Sequence, residues 1–340
     1  MPKMPTLAPA DGPLLEQILD ASYDIWNDGL TRPSYARWWS AQLATPWGRA
    51  HLRRTALDDG PTVLASAKEY RYDALLDSRP IKVIGIGAVF TQPAHRGTGA
   101  AARLIEELLD RAIREKADLA LLFSEIGPDY YMRLGFSTLP VFDLDLRVAE
   151  SARHGAPMTL VRSGEERDLD AIVAMNQVRA EPFRFHLDRD RDLVRYAITK
   201  KRLLAGLGPS GSREVQFFVA EEGTSAVAYV VMTGREGQDG QVGRAGQVDE
   251  ACWTIEECGD RDPSGARVGA ILQVLLAREP TVKRPRIRGW LPPRMRPPQI
   301  TIAETRPASD VMMVRPLSPA AAAAVHLDED DLLYWRADVF

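Results

Sequence analysis

The sequence is poor in the residues that staple or metallate a protein. Its only cysteines, Cys252 and Cys258, lie six positions apart, and its five histidines are scattered. No CxxC or HExxH pair is present, which argues against a zinc site and a disulfide framework, so no metal is expected. A basic excess is missing too: 43 Lys and Arg stand against 47 Asp and Glu, for a net charge of −4. Without such an excess to neutralise a phosphate backbone, no nucleic-acid partner is expected. The longest small apolar run, residues 320–325, is far too short to span a bilayer, and residues 1–12 lack the apolar stretch of a secretory leader. The expectation is therefore a protein of the reducing cytoplasm with no membrane partner; a homo-oligomer remains open. What is present is an ordinary globular composition, 45% hydrophobic and 26% charged, over 340 residues. That excludes a disordered, collagenous or coiled-coil chain and fits about two domains.

The first 150 residues alternate helical and strand periods. Leu14, Leu15, Ile18, Leu19, Ile25 and Trp26 recur at helical spacing behind Asp11-Gly12-Pro13, and a second helix is expected over 34–47 with Ser34 as its cap. Strands follow at 51–57, 63–72 and 81–91, the last two joined through Asp77-Ser78-Arg79-Pro80 as a hairpin. The clearest helix, 99–116, carries Leu104, Ile105, Leu108, Leu109, Ala112 and Ile113 on one stripe. A buried strand at 119–123, a short helix at 128–134 ending on Gly135, and a strand at 141–148 close this unit. A polar break at 149–157 precedes a second unit whose elements come in a similar order. Repeated order without repeated residues suggests duplication. The domains expected are thus 1–150, 151–317 and a tail, 318–340, that contains an acidic cluster and then Leu332-Leu333-Tyr334-Trp335.

Chemistry is concentrated where the strand 83–91 runs into the strongest helix through Arg96-Gly97-Thr98-Gly99-Ala100-Ala101. Small residues at such a turn leave backbone N–H groups uncovered, and the helix start adds partial positive charge, which together suit a pyrophosphate. The loop is neither a Walker loop nor a dinucleotide fingerprint. A turn using glycine only for its shape is the plain alternative. Some thirty residues on, behind the buried strand, comes Tyr130-Tyr131-Met132-Arg133-Leu134-Gly135-Phe136.

Loop and Tyr-x-x-x-Gly-Phe segment together, in this order and spacing, resemble the GNAT (GCN5-related N-acetyltransferase) superfamily over residues 6–148. The tandem second unit and a chain ending in Phe resemble, less fully, the Eis-type acetyltransferases; their sterol-carrier-like C-terminal domain is here missing or reduced to a tail. The resemblance implies an α/β (α+β) fold: a mixed, mostly antiparallel twisted sheet flanked by helices, duplicated as two tandem GNAT-like domains. It implies acetyl-CoA as co-substrate, held by Arg96, Gly97, Thr98, Gly99, Ala100 and Ala101, with backbone donors at Val89, Phe90 and Thr91 near the thioester oxygen. The second unit has no such loop around 259–269 and is expected not to bind CoA.

A departing thiolate needs a proton, and a phenol of ordinary pKa about 10 can deliver one late in the reaction. Tyr131 is the expected acid, with Tyr130 packing helix onto sheet. For the base, the resemblance points to the Phe340 carboxylate, and Glu125 and Asp129 are the alternatives. In this fold the first two helices border the acceptor cleft, so Trp38 and Trp39 are expected to wall the site for the amine of a small molecule or a lysine side chain. A non-catalytic CoA or acyl-CoA sensor is the competing expectation.

Overall fold

The computed structural model describes residues 5–60, 62–150, 160–210, 212–235, 251–280, 284–292 and 294–340. The order opens with β1 (Thr6–Pro9), α1 (Gly12–Trp26), α2 (Arg32–Ala44), α3 (Pro46–His51), β2 (Leu52–Asp58), β3 (Val63–Leu76) and β4 (Arg79–Thr91). It continues with α4 (Ala100–Arg114), β5 (Leu119–Ser124), α5 (Asp129–Met132), β6 (Ser137–Thr138) and β7 (Phe142–Val148). Beyond the polar break, of which 151–159 lie outside the described residues, come β8 (Leu160–Ser163), α6 (Leu169–Ala180), β9 (Phe185–Leu187) and α7 (Arg191–Leu207). Then follow β10 (Glu214–Glu222), β11 (Ser225–Arg235), β12 (Cys252–Asp260), α8 (Ala266–Arg278), β13 (Arg286–Gly289), β14 (Ile300–Pro307), β15 (Val311–Pro316) and β16 (Leu332–Leu333).

Local chemistry accounts for most of these boundaries. Thr31, not Ser34, caps α2: its side chain accepts from Ser34 N, with Pro33 in the first turn, where a missing N–H costs nothing. The expected single helix over 34–47 breaks at Thr45, whose hydroxyl caps α3 at Gly48 N. The β3–β4 turn rests on Asp77 and Ser78, both at positive φ, the geometry of a two-residue hairpin loop. Gly135 takes φ +78° just behind α5, as a C-terminal stop requires.

Two mostly antiparallel sheets result. The first has the order β1-β2-β3-β4-β5-β15-β6, with β9 and β16 attached beside β3. The second has the order β14-β7-β13-β12-β11-β10-β8. Among the described residues each contains a parallel pair bridged by a helix, β4–α4–β5 in the first and β12–α8–β13 in the second, and the first also pairs β9 with β16 in parallel. This is a duplicated, helix-flanked α/β architecture.

The sheets do not divide where the sequence does. β7, expected to close the first unit, pairs with β13 and β14 of the second sheet. In return β15 crosses back and pairs with β5 over Val311–Pro316. Strand alternation specifies which face a side chain takes but not which neighbour the backbone selects, so this exchange left no mark on the pattern.

The first sheet is covered on one face by α4, through Leu104, Ile105, Leu108 and Leu109. Its other face packs against α1, α2 and α3, and also α7, which contributes Leu193 and Tyr196 to that core. The tail is wedged between the two units. Leu332 and Tyr334 join the first unit's core, while Leu333 and Trp335 join the second's, alternating as an extended chain must.

Candidate active site

β4 and β5 are paired in parallel only from Val83 opposite Leu119 to Ile86 opposite Leu122. On its other edge β5 is paired with β15 along its whole length, Leu119–Ser124, so past Leu122 it keeps β15 but loses β4, and the two central strands part. β4 leaves regular pairing at the same level: Lys68 of β3 faces Gly87, but Ser66 faces Phe90, so Ala88 and Val89 together oppose Ala67. This is a β-bulge, with Ala88 at φ +46°, and bulges of this kind re-aim backbone groups beside functional sites. Val89, Phe90 and Thr91, the expected oxyanion donors, thus stand on or just past an irregular stretch whose existence the sequence did not signal.

The loop 92–99 leads from the parted strand to α4. Gly97 and Gly99 lie at φ +77° and +86°, and a Cβ at either would meet nothing within 4 Å, so the glycines serve backbone shape and an open surface. Gly99 is the N-cap of α4 and offers no side chain to cap it. The first-turn N–H groups at Ala100 and Ala101 are therefore available to an external acceptor. Thr98 donates its hydroxyl to His95 O at 2.7 Å, and Arg96 is exposed.

The corresponding helix of the second unit is closed to an anion. Asp260 accepts from Arg267 N at 2.8 Å, so the protein's own carboxylate satisfies the start of α8. A Cβ on Gly265 would come within 2.8 Å of Met295 and one on Gly269 within 2.0 Å of Gln299, so the chain itself packs over that surface.

Tyr131 sits on α5, 8% exposed, in the cluster under α4 with Ala100, Leu104 and Phe136. Tyr130 meets it edge-on at 5.1 Å. Burial, with Tyr130 and Glu125 adding to it, pushes the Tyr131 phenol up to about 12. Glu125 itself is exposed, and Asp129 opens the first turn of α5.

Phe340 lies on the opposite face of β4. Its ring stacks on Tyr70 at 4.5 Å and meets Phe123 of β5 edge-on at 5.5 Å. Gly85 and Gly87 form its seat: ideal Cβ atoms there would fall 2.6 and 2.8 Å from the ring. The Phe340 carbonyl carbon and oxygen lie 3.3 and 3.2 Å from the Gly87 Cβ position, beside the bulge. Lys200 of α7 donates to Val339 O at 2.7 Å and ties the last residues down.

Trp38 and Trp39 do not wall an open cleft. They are 8% and 1% exposed, and Trp38 donates Nε1–H to Lys200 O. The ammonium over their rings, at 5.0 and 5.3 Å, is the protein's own Lys68. The expected role as a wall for the substrate amine is thus not met: both rings are buried and occupied by a side chain from β3.

Several site residues escaped the sequence reading. Lys68 and Lys200 are buried, and desolvation lowers each ammonium to about 7. Arg189, 5% exposed, joins Glu257 at 2.5 Å and Asp338 of the tail at 3.2 Å. Nothing in the sequence brings these charges together. Gly85-x-Gly87 inside an apolar strand was a usable sign, because such glycines mark close backbone approach.

Among the described residues no group of three or more His, Cys, Asp or Glu is gathered as for a metal, and no helix is long and apolar enough to cross a membrane. Cys252 and Cys258 are free thiols.

The parted central strands, the bulge and the glycine-capped helix start all lie in or beside the segment 14–139, which matches the acetyltransferase (GNAT) domain model. Over nearly its whole length the chain is similar in fold to solved structures of acyltransferases. A GCN5-related N-acetyltransferase from Anabaena variabilis is 12% identical with TM-score 0.65, covering 92% of this chain and 73% of that one. Another from Kribbella flavida is 16% identical with TM-score 0.64, covering 94% and 74%. Eis1 from Mycobacterium abscessus is 12% identical with TM-score 0.55, covering 94% and 76%. No curated protein matches the sequence.

Proposed function

We propose that the chain transfers an acetyl group from acetyl-CoA to a primary amine of a small molecule or a lysine side chain. The observation that carries this reading is the opening between β4 and β5, with the uncapped start of α4 on one side and Phe340 on the other. The pyrophosphate is held by the loop Arg96, Gly97, Thr98, Gly99, Ala100 and Ala101, with the N–H groups of Gly97, Gly99, Ala100 and Ala101 as donors; those of Arg96 and Thr98 are already given to Pro93 O and His95 O. Arg96 adds charge at a loop that the nearly neutral molecule does not otherwise favour for a polyanion.

The neutral amine attacks the thioester carbon, and the carbonyl oxygen takes up the electron pair. N–H donors from the bulged stretch Val89, Phe90 and Thr91 receive that oxygen, a contribution of roughly 3–4 kcal/mol for one well-aimed donor. As the intermediate collapses the C–S bond breaks, and the sulfur receives the Tyr131 proton. The Phe340 carboxyl takes the proton released by nitrogen; Glu125 is the alternative. Products are the N-acetyl amine and free CoA thiol.

Tyr131→Phe tests the reading against a CoA sensor. Thiol release from acetyl-CoA with a panel of amines should fall about 100-fold in kcat, within the range of general-acid effects. Acetyl-CoA affinity by calorimetry should stay within about twofold, since an interaction made chiefly in the transition state contributes little to ground-state binding. Tight CoA binding without turnover of any amine by the unmodified protein would make it a sensor.

A further inference from the structure

The Phe340 ring occupies ground that a longer acyl chain would need. The last paired residues of the central strands, Ile86 and Leu122, mark the vertex where β4 and β5 part. On the α4 side Ile86 and Leu122 belong to the same buried cluster as Leu104, Ile105 and Tyr131, so that face is filled. Room beyond a thioester held between the strands therefore lies on the opposite face, and there the Phe340 ring lies across Gly85 and Gly87. Tyr70 stacks on it, Phe123 closes its edge, and Tyr72 lies 6.0 Å away. The seat is specific: a side chain at either glycine would strike the ring, and Lys200 fixes the preceding carbonyl.

We infer that the Phe340 ring sets the acyl-chain limit, confining the donor to short acyl groups. This rests on the acyltransferase reading above. The ring excludes longer donors because their methylenes would have to displace an aromatic group held on three sides. Without the ring, the two glycines leave an apolar slot walled by Tyr70 and Phe123.

The test compares acetyl-, butyryl- and octanoyl-CoA with one amine, in the full-length protein and in Phe340→Ala and Phe340→Leu. Taking the donor ratio within each variant cancels any loss of rate from a shifted carboxyl. The unmodified protein should prefer acetyl to octanoyl by about 100-fold or more in kcat/KM, and Phe340→Ala should shrink that ratio at least tenfold, on the scale of pocket-size discrimination. Phe340→Leu should shift it in the same direction by less. Calorimetry on the unmodified protein gives a second readout, with octanoyl-CoA binding more weakly than acetyl-CoA. Octanoyl-CoA used as well as acetyl-CoA by the unmodified protein overturns the inference. So does an unchanged ratio in folded Phe340→Ala, while acetyl transfer itself stands. Absence of both binding and turnover with acetyl-CoA would instead remove the underlying function, and the inference with it.

Discussion

Burial places the Tyr131 phenol at about 12, so under the proposed mechanism it keeps its proton while the acceptor amine deprotonates. A raised value means that the acid form is lost only as pH climbs through it. The kcat profile should therefore rise with amine deprotonation and show no descending limb from this residue below about pH 10, the ordinary tyrosine value. Lys68 runs the other way. Its ammonium is lowered to about 7, mainly by desolvation and then by Arg54. Between that value and the ordinary lysine value of about 10.4, the unfolded chain binds more protons than the folded one, so this residue makes stability rise with pH. Melting at pH 7 and pH 9 should show the higher Tm at pH 9, and Lys68→Met should raise Tm at pH 7 and flatten the difference. Arg189 is the opposite kind of buried charge, already partnered by Glu257 and Asp338. Arg189→Met leaves two carboxylates uncompensated in the interior and should cost about 3–5 kcal/mol in denaturant unfolding.

Among the elements, β4 does the most. It carries the expected donors, the bulge, and the two glycines under Phe340. Gly87→Ala would place a methyl 2.8 Å from that ring. Such overpacking costs about 1–3 kcal/mol. If the methyl displaces the ring, the Phe340 carboxyl shifts with it, and kcat should fall more than acetyl-CoA affinity does. Equal losses in both would show that the strand, rather than the tail, had yielded. The helix α4 and the strands around it were legible in the sequence because their apolar periods are long and unbroken, and the loop Arg96–Ala101 because its spacing is distinctive. The bulge was not, since Ala88 and Val89 read as ordinary strand residues. Trp38 and Trp39 read as a wall for the substrate amine because nothing local shows their burial: the ammonium over their rings lies 29 residues or more away along the chain, at position 68. The tail is the mixed case. Its run Leu332-Leu333-Tyr334-Trp335 is apolar on both faces, a sign of two-sided burial, yet only the fold shows that the two sides are different cores.

At the scale of the molecule, the two units are laced together rather than strung in tandem. β7 leaves the first half for the second sheet, β15 returns, and the tail runs between the cores to Phe340. A fragment of residues 1–150 would leave the β15 side of β5 unpaired and expose Leu144 and Leu146. It should be aggregated or non-cooperative by gel filtration and thermal melting; a monodisperse, cooperatively melting fragment would contradict the lacing. The second unit thus serves the first structurally, through α7, Lys200 and the tail, while its own helix start is filled by Asp260. That division of labour has a direct check. Calorimetric titration of the full-length protein with acetyl-CoA, followed by thiol release on adding primary amines, should give one binding site per chain and amine-dependent turnover. Binding at two sites, or none, or turnover that no amine stimulates, would contradict the account.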